Sequence, residues 1–520
     1  MTPSLAAGSH ARQIARAAAL IMGLFLLSRV AGLAREMIIG ARFGTSSELD
    51  AYLAAFRVPD LLFQLAAGGA LGSAFIPVFT GCLTRRDLTG AWKLFSAVTN
   101  LVLILMTGLA VLAALAAPWL VSHLLAPGFA PQQQALTVSL MRWMLLSTII
   151  FGVSGIIMGV LNSFQHFLIP ALAPLLYNLS IIAGAWFLAP EFGVYGLVAG
   201  VIVGAGLHLD SQLVGLWLYR ARYYWVLGLK NSRVREVGRL MGPRVIGLAA
   251  VQVNFWINTL LASAMPAGSI SALNYAWLLM LLPLGIVAQA VATAAFPTFA
   301  ALEARGERAE LRHLVSTTLR AVIFLTLPAA VGSFVWRVAL IRMLLQRGEF
   351  TATSTEMTAA ALAFYALGLI GHSAVEIAAR AFYALHDTRT PVAIGIGSMV
   401  LNVCLSFLLR VPLGFAGLAL ANTLATLLEM ALMIWLLSRQ LGGLELPQLG
   451  STLLRASLAC GAMVVPLLWA AQRWQDGPAV AVGLAGLAIG AAFYLAGAAV
   501  LRMPELQMVR RMVARDRRSQ

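Results

Sequence analysis

Charged residues interrupt two long apolar stretches near the start of the chain, where a charge is costly unless it meets a cavity or a partner. Within 14–41 and 48–81 these residues include Arg29, Arg35, Glu36, Asp50, Arg57 and Asp60. On a helix, Arg29 and Arg35 would lie about 9 Å apart along the axis and about 120° apart around it. Because a guanidinium fork binds phosphate through two parallel hydrogen bonds, the pair predicts a cavity for a phosphate-bearing substrate.

A purely structural role is the alternative for each of these residues. Arg35 and Glu36 would pair with nearby charges and hold helices together, and Arg57 would extend its side chain to the membrane surface. For Arg29 and Arg35 both interpretations stay open on the residues alone. Other polar residues in apolar stretches favour helix–helix contacts; they are Asp210, Asn254, Asn258, Glu376, Arg380, Asn402, Asn422 and Glu429.

No catalytic or metal-binding pattern accompanies these charges. The chain has no G-x-x-x-x-G-K-[ST], G-x-S-x-G or H-E-x-x-H motif, and its seven histidines show no ligand spacing. Its three cysteines are scattered, which gives neither a disulfide framework nor a metal site. We therefore expect a transporter and not an enzyme, without cofactor or metal, driven by a gradient, a membrane potential or another protein.

The composition determines which elements position these charges. Of 520 residues, 60% are hydrophobic and only 11% are charged, whereas a soluble domain has about 25% charged residues. This excludes a water-soluble protein, and the high hydrophobicity excludes a disordered one. Apolar runs long enough to span a membrane recur from 14 to 501. They predict an all-α polytopic membrane protein with about fourteen transmembrane helices.

The basic residues predict the orientation. Lys and Arg total 36 against 20 acidic residues, a net charge of +16. They concentrate in alternate connections, such as Arg220–Arg239, and in the C-terminal tail. By the positive-inside rule both termini are cytoplasmic. The excess charge is then explained by topology and contact with anionic membrane lipids, and nucleic-acid binding is not expected.

Three motif pairs recur at one spacing and indicate an internal repeat. Pro77 in Ala-Phe-Ile-Pro-Val-Phe and Pro297 in Ala-Ala-Phe-Pro-Thr-Phe are 220 residues apart. Two further pairs, each 221 residues apart, are Gly193 with Gly414 and Pro170 with Pro391. With six helices in each repeat, the two halves have parallel topology, which is typical of transporters with a central cavity.

The repeat divides the chain into four regions. We expect an N-terminal six-helix lobe at 12–230 and a C-terminal six-helix lobe at 232–440. A two-helix appendage at 449–501 lies outside the repeat and precedes a basic cytoplasmic tail at 502–520.

Short motifs with characteristic residues recur along almost the whole chain. In the first half these are Ser28-Arg29-Val-Ala-Gly32-Leu-Ala-Arg35-Glu36, Phe43-Gly44, Asp50-Ala51, Gly69-Ala70-Leu71 and Ala74-Phe-Ile-Pro77. In the second half they are Asn274-Tyr275-Ala276, Leu282-Pro283-Leu-Gly285, Phe296-Pro297, Arg380-Ala-Phe382-Tyr383-Ala384 and Asp387-Thr388-Arg-Thr390-Pro391. Together these motifs resemble those of the MurJ (MviN) lipid II flippases.

The resemblance implies a fold of the multidrug/oligosaccharidyl-lipid/polysaccharide exporter superfamily in the bacterial cytoplasmic membrane. It implies alternating access and transfer of lipid II, the undecaprenyl-linked peptidoglycan precursor, from the inner to the outer leaflet. Cell-wall synthesis proteins would be further partners. The family's cavity charges correspond to Arg29, Arg35, Glu36 and Asp50, and its lipid-tail groove to 449–501.

Several charges of the family pattern are missing. A further cavity arginine would fall at Phe63 or Gln64, and an Asp-Arg pair would fall at Trp277-Leu278. Two expected acids are replaced by Leu281 and Gly68. A sodium site of some relatives would use positions near Asn258, Asn402 and Asn422, without carboxylates. We therefore expect no sodium coupling and a cavity that has lost charges of both signs together.

Three functions stay open on the sequence. The first is a lipid II flippase in which Arg29 and Arg35 hold the pyrophosphate. The second is an exporter of another lipid-linked glycan or of an amphipathic cation with the same fold. The third is a membrane scaffold of the cell-wall machinery that transports nothing, which the missing arginine at Leu278 favours.

Overall fold

The computed structural model describes residues 4–66, 70–474 and 477–507, and within these ranges it contains helices and no strands. Gly68, Gly69 and the tail from 508 onwards lie outside the described residues. The helices of the first half are α1 (Ser4–Phe43), α2 (Ser47–Ala66), α3 (Ala70–Thr84), α4 (Leu88–Leu120), α5 (Pro131–Ser163), α6 (Leu168–Ala183), α7 (Ala189–Phe192), α8 (Val194–Leu218) and α9 (Ser232–Ser263).

The second half contains α10 (Ser269–Pro283), α11 (Ala290–Ala304), α12 (Arg308–Val335), α13 (Arg337–Leu344), α14 (Ala352–Ala384), α15 (Arg389–Leu413), α16 (Phe415–Gln440), α17 (Leu446–Arg473) and α18 (Ala479–Val500). Short π-helical segments extend three helices: Val121–Leu125 follows α4, Gly184–Leu188 follows α6 and Leu284–Gln289 follows α10.

Eleven helical segments of the described chain are long and apolar enough to cross a membrane. Their outer faces carry exposed apolar side chains such as Leu115 and Val411, which a lipid environment accommodates. The all-helical membrane architecture predicted from composition is confirmed, while the count of fourteen spans stays a prediction. The apolar run at 311–345, which predicts one continuous helix, is divided in the structure, because α12 ends at Val335 and α13 begins at Arg337, on either side of the buried Trp336.

The helix boundaries repeat at the spacing found in the motifs. α5 and α14 begin 221 residues apart, at Pro131 and Ala352, and end 221 apart, at Ser163 and Ala384. The turns before α8 and α16 share a conformation that L-residues rarely adopt. Gly193 has φ 55° and ψ −139°, and Gly414 has φ 58° and ψ −142°. Glycine is required at both turns because it has no Cβ.

Contacts group the chain into two compact units, Met1–Ala267 and Gly268–Gln520. In the first unit α9 packs against α2 and α3. The core of this unit lies between α3, α4 and α5, where the rings of Phe79, Trp92 and Phe164 meet with centroids about 6 Å apart. The division into lobes at 12–230 and 232–440 stays a prediction.

Asp87 joins two helices within the first unit. Its carboxylate accepts hydrogen bonds from the backbone N–H of Gly90, which caps α4, and from Nη1 of Arg233 at the start of α9, both at 2.8 Å. These two bonds lower the pKa of Asp87 from its ordinary value, the bond to Arg233 having the larger effect.

In the second unit α17 and α18 pack against each other and against α12. Ala459, Met463 and Tyr494 belong to their shared core, and the Tyr494 hydroxyl donates a 2.6 Å hydrogen bond to the Phe324 carbonyl. Gly486 of α18 lies directly against the Trp336 indole, so that a Cβ at this position would overlap the ring. The two appended helices are therefore tightly fitted to α12 and α13.

Candidate functional site

Arg35 is held in a fixed position on α1 by three hydrogen bonds. Its Nε and Nη2 donate to Oε1 of Glu36 at 3.1 and 2.6 Å, and its Nη1 donates to Oδ1 of Asn178 on α6 at 3.0 Å. The Asn178 amide in turn donates to the Ser28 carbonyl on α1 at 3.3 Å. A guanidinium has five N–H donors, so the remaining two are left for another ligand.

Arg29 differs from Arg35 in its surroundings. Its side chain is exposed, and the described part of the chain offers it no hydrogen bond or ion pair. The six-residue spacing places it about 9 Å from Arg35 along the axis of α1. The first helix therefore carries one anchored arginine and one arginine whose fork is open to a ligand.

Asp50 and Glu36 are the two acids of the predicted site. Asp50 lies in the first turn of α2 and is only 2% exposed, a position in which a carboxylate is favoured by the helix dipole. Glu36 is the ion-pair partner of Arg35. The structural interpretation of Glu36 is thus correct for its contact with Arg35, and Glu36 determines which way that guanidinium faces.

Arg57 contacts α9. Its Nε donates to Oγ1 of Thr259 at 2.9 Å, and its guanidinium lies over the Phe255 ring, 5.5 Å from the centroid. One turn later, Asp60 accepts a 3.4 Å hydrogen bond from the Gln252 amide. Arg57 and Asp60 therefore both join α2 to α9, and the extension of Arg57 to the membrane surface stays a prediction.

The positions of the missing charges are filled by aromatic packing. Phe63 makes an edge contact with Phe151, with ring centroids 4.8 Å apart. Trp277 contacts Tyr365 and His372 in the same way, at 5.3 and 5.4 Å. Aromatic contacts therefore stand at two of the positions where the resemblance predicts charges.

The polar centre of the second unit is uncharged. Nε2 of His372 on α14 lies 3.1 Å from Oδ1 of Asn422 and 3.4 Å from Oγ1 of Thr426, both on α16. Glu376 and Arg380, which were predicted to make helix–helix contacts, instead pair within α14 at 3.8 Å. No described carboxylate hydrogen-bonds to His372 or Asn422.

A buried ion pair that the sequence did not reveal lies near the appended helices. Nη2 of Arg320 on α12 donates to Oε1 of Glu505 at 2.6 Å, and Glu505 is 1% exposed. Thr452 on α17 donates to the same carboxylate oxygen at 2.7 Å, and Gln448 accepts from Arg320 at 3.1 Å. Glu505 lies in the segment predicted as a basic cytoplasmic tail at 502–520, and no sequence motif indicates its partner.

An apolar cavity of about 540 Å³ lies within the second unit. It is bounded by α10, α12, α13, α17 and α18, with Pro328, Met463 and Leu487 among its lining residues. Its walls are almost entirely hydrocarbon, so it suits an alkyl or isoprenoid chain and not a polar group.

Comparison with known proteins gives consistent matches over most of the chain. A family model described as lipid II flippase MurJ matches residues 39–485. The lipid II flippase MurJ of Burkholderia cenocepacia is 32% identical over 498 residues, covering 92% of this chain and 96% of that protein. A probable lipid II flippase MurJ of Rhizobium meliloti is 31% identical and covers 96% of each chain.

Solved structures agree in fold. A structure titled lipid II flippase MurJ in an inward closed conformation superposes with a TM-score of 0.80 at 25% identity, covering 93% of this chain and 98% of that one. An inward-facing multidrug resistance MATE family transporter of the MOP superfamily superposes with a TM-score of 0.68 at 16% identity, covering 82% and 98%. The second match shows a shared fold alone.

Proposed function

We propose, from the premise that this chain belongs to the lipid II flippase MurJ family, that it moves lipid II across the bacterial cytoplasmic membrane. Its likeness to that family, first visible in the motifs of α1 and α14, is confirmed by the family model and by relatives matched over nearly their full length. The family is one of transporters.

The proposal for the site rests on the pair Arg29 and Arg35. Glu36 and Asn178 orient the Arg35 guanidinium, which keeps two N–H donors for a ligand. The Arg29 guanidinium is exposed, and all five of its N–H donors are available to a ligand. A pyrophosphate presents several anionic oxygens, so it bridges two forks spaced along one helix. Glu36 acts by holding Arg35, and Asp50 and Arg57 stabilise α2 at the edge of this site.

The lipid tail occupies the apolar cavity beside α17 and α18. Its volume of about 540 Å³ and its hydrocarbon walls suit part of a polyprenyl chain and exclude the sugar and peptide. The hairpin formed by these helices is therefore the tail groove, and the ion pair between Arg320 and Glu505 fixes one side of it.

Transport proceeds by alternating access of the two repeats, with both termini in the cytoplasm. The concentration of basic residues in alternate connections supports this orientation, which makes the movement run from the inner to the outer leaflet. The energy comes from a gradient, a membrane potential or another protein.

Complementation tests the function directly. A strain depleted of its own lipid II flippase should grow when it expresses this chain and should stop growing when it expresses the chain with Arg29→Ala at equal membrane abundance. A chain that is abundant in the membrane and never supports growth would contradict the proposal. It would favour the transport-silent scaffold suggested by the aromatic residues at Phe63 and Trp277.

A further inference from the structure

Arg142 is an exposed arginine on a helix of membrane-spanning length. α5 runs from Pro131 to Ser163 and is about 50 Å long. This is longer than the roughly 30 Å hydrocarbon layer. Arg142 lies eleven residues, or about 16 Å, from the first residue of this helix. A charge on a membrane-spanning helix is costly unless it finds a polar partner.

A proline explains part of the position of this side chain. Pro118 in α4 has no N–H, so the Ala114 carbonyl four residues earlier has no helical partner. Nε of Arg142 donates a 3.0 Å hydrogen bond to this carbonyl. The guanidinium is thereby fixed beside α4. The structure shows no partner for its two amino groups among the described residues, and no described carboxylate pairs with it.

Arg142 lines a groove of about 850 Å³ that is formed by residues of α5 together with Pro118 of α4. Gln134, Ser139 and Arg142 form the polar part of this groove, and Trp143 and Leu146 form its apolar part. Trp143 is 55% exposed. The groove therefore presents one cationic group and an apolar wall to the surrounding lipid.

We propose that this groove binds the phosphodiester headgroup of a membrane phospholipid. The open amino groups of Arg142 match a phosphate in charge and in the spacing of its oxygens. An acyl chain of the same lipid lies along Trp143 and Leu146. The bound phosphate neutralises a guanidinium that the fold places on a membrane-spanning helix, and the site is separate from the arginine pair of α1.

Native mass spectrometry of the purified full-length protein tests this site. The probes are dioleoyl phosphatidylglycerol and dioleoyl glycerol, which share their chains and differ in the phosphate-bearing headgroup. We expect the protein to retain one phosphatidylglycerol that Arg142→Gln retains about tenfold less, because one charge-assisted contact is lost. Glutamine keeps an N–H donor for the Ala114 carbonyl. Dioleoyl glycerol should not be retained.

Arg410→Gln is the matched control, since Arg410 is also exposed on a helix and lies over its own Phe407 ring at 5.1 Å. It should retain phosphatidylglycerol as the unmodified protein does. Equal retention by Arg142→Gln and the unmodified protein, or an equal loss in Arg410→Gln, would overturn the proposal.

If Arg142→Gln fails to fold, a second variant tests whether the groove binds the phospholipid. Ala135→Trp places a bulky ring in the groove from an exposed position and leaves Arg142 unchanged. It should also release the phosphatidylglycerol. Undiminished retention in a folded Ala135→Trp protein would overturn the proposal.

Discussion

The polar centres of the two compact units differ in charge. In the first unit Arg35 pairs with Glu36 and contacts Asn178, and the Arg29 side chain on the same helix is exposed. In the second unit His372 contacts Asn422, and no described carboxylate hydrogen-bonds to either residue. The matched helices α5 and α14, which share a 221-residue spacing, therefore belong to units with different polar centres.

The proposed recognition of an anion falls on the first unit. A pyrophosphate requires cationic donors, which the first unit provides, whereas the rings of Trp277 and Tyr365 in the second unit favour apolar or sugar surfaces. Under this proposal the two units have different binding roles. Each of the following variants challenges this division between the two units.

Removing the anchored arginine should have the largest effect. Arg35→Ala leaves Glu36 and Asn178 without their donor, so we expect both lower membrane abundance and loss of lipid II flipping. Adding Glu36→Ala should restore abundance but not flipping. Arg380→Ala, which breaks an ion pair of the second unit at 3.8 Å, is the control and should retain flipping. Loss of flipping in Arg380→Ala at normal membrane abundance would contradict the proposal that the first unit, and not the second, recognises the anion.

The buried ion pair beside the tail groove should dominate the stability of the second unit. Glu505→Leu leaves Arg320 buried without its carboxylate, and we expect a loss of about 3–5 kcal/mol in the free energy of unfolding. Arg320→Met with Glu505→Leu should recover most of this loss. Thermal unfolding of the purified proteins measures both. If Glu505→Leu alone is as stable as the unmodified protein, the ion pair does not stabilise the hairpin of α17 and α18.

Introducing a charge at Leu278 of the second unit should lower membrane abundance, with a smaller effect than the two changes above. Leu278→Arg introduces a half-buried cation beside Trp277, where the family pattern has an acid. We expect reduced membrane abundance, with Leu278→Met as the neutral control, and recovery when Trp277→Asp accompanies the change. If Leu278→Arg alone increased flipping at full abundance, the charges would not have been lost as a compensated set.

The smallest effect concerns a connection outside the membrane helices. Asp387 accepts hydrogen bonds from Thr390 Oγ1 at 2.7 Å, from two backbone N–H groups and from Gln440, which lowers its pKa to about 2. The stability it contributes is present above its ordinary pKa near 3.8 and is lost as pH falls towards about 2. Asp387→Asn should lower the melting temperature slightly at pH 7.

The pH series checks this sign. The difference in melting temperature between Asp387→Asn and the unmodified protein should shrink as pH falls from about 4 to about 2. Asp210→Asn, which alters an exposed carboxylate on α8, should show no difference at any pH. A difference for Asp387→Asn that grows on acidification would contradict the assignment.

Sequence patterns predicted the positions of the helices far better than they predicted the contacts between helices. Apolar length located the helices, and the 221-residue spacing located matched turns such as Gly193 and Gly414, because both depend on local composition. Arg29 and Arg35 were identified because a charge in an apolar stretch is conspicuous. The partner of Arg57 was missed because Thr259 lies 202 residues away in sequence.

Two other features depended on packing that no local pattern records. Glu505 belongs to a segment rich in basic residues, and only the folded hairpin brings it to Arg320. Arg142 acquires its position from a carbonyl freed by Pro118 on another helix. Contacts between distant segments require the three-dimensional arrangement, and hydropathy alone cannot supply it.

Arg29 is proposed as a direct ligand of the pyrophosphate, and Arg29→Ala tests this role most directly. Because Arg29 is exposed and makes no hydrogen bond or ion pair with a described residue, the variant should reach the membrane in normal amounts. Lipid II flipping should fall about 10–150-fold for the loss of one charge-assisted contact, and Arg29→Lys should restore it only partly. Membrane abundance and flipping are measured side by side. Abundant Arg29→Ala protein that no longer flips supports the account, and abundant protein that flips at the unmodified rate contradicts it.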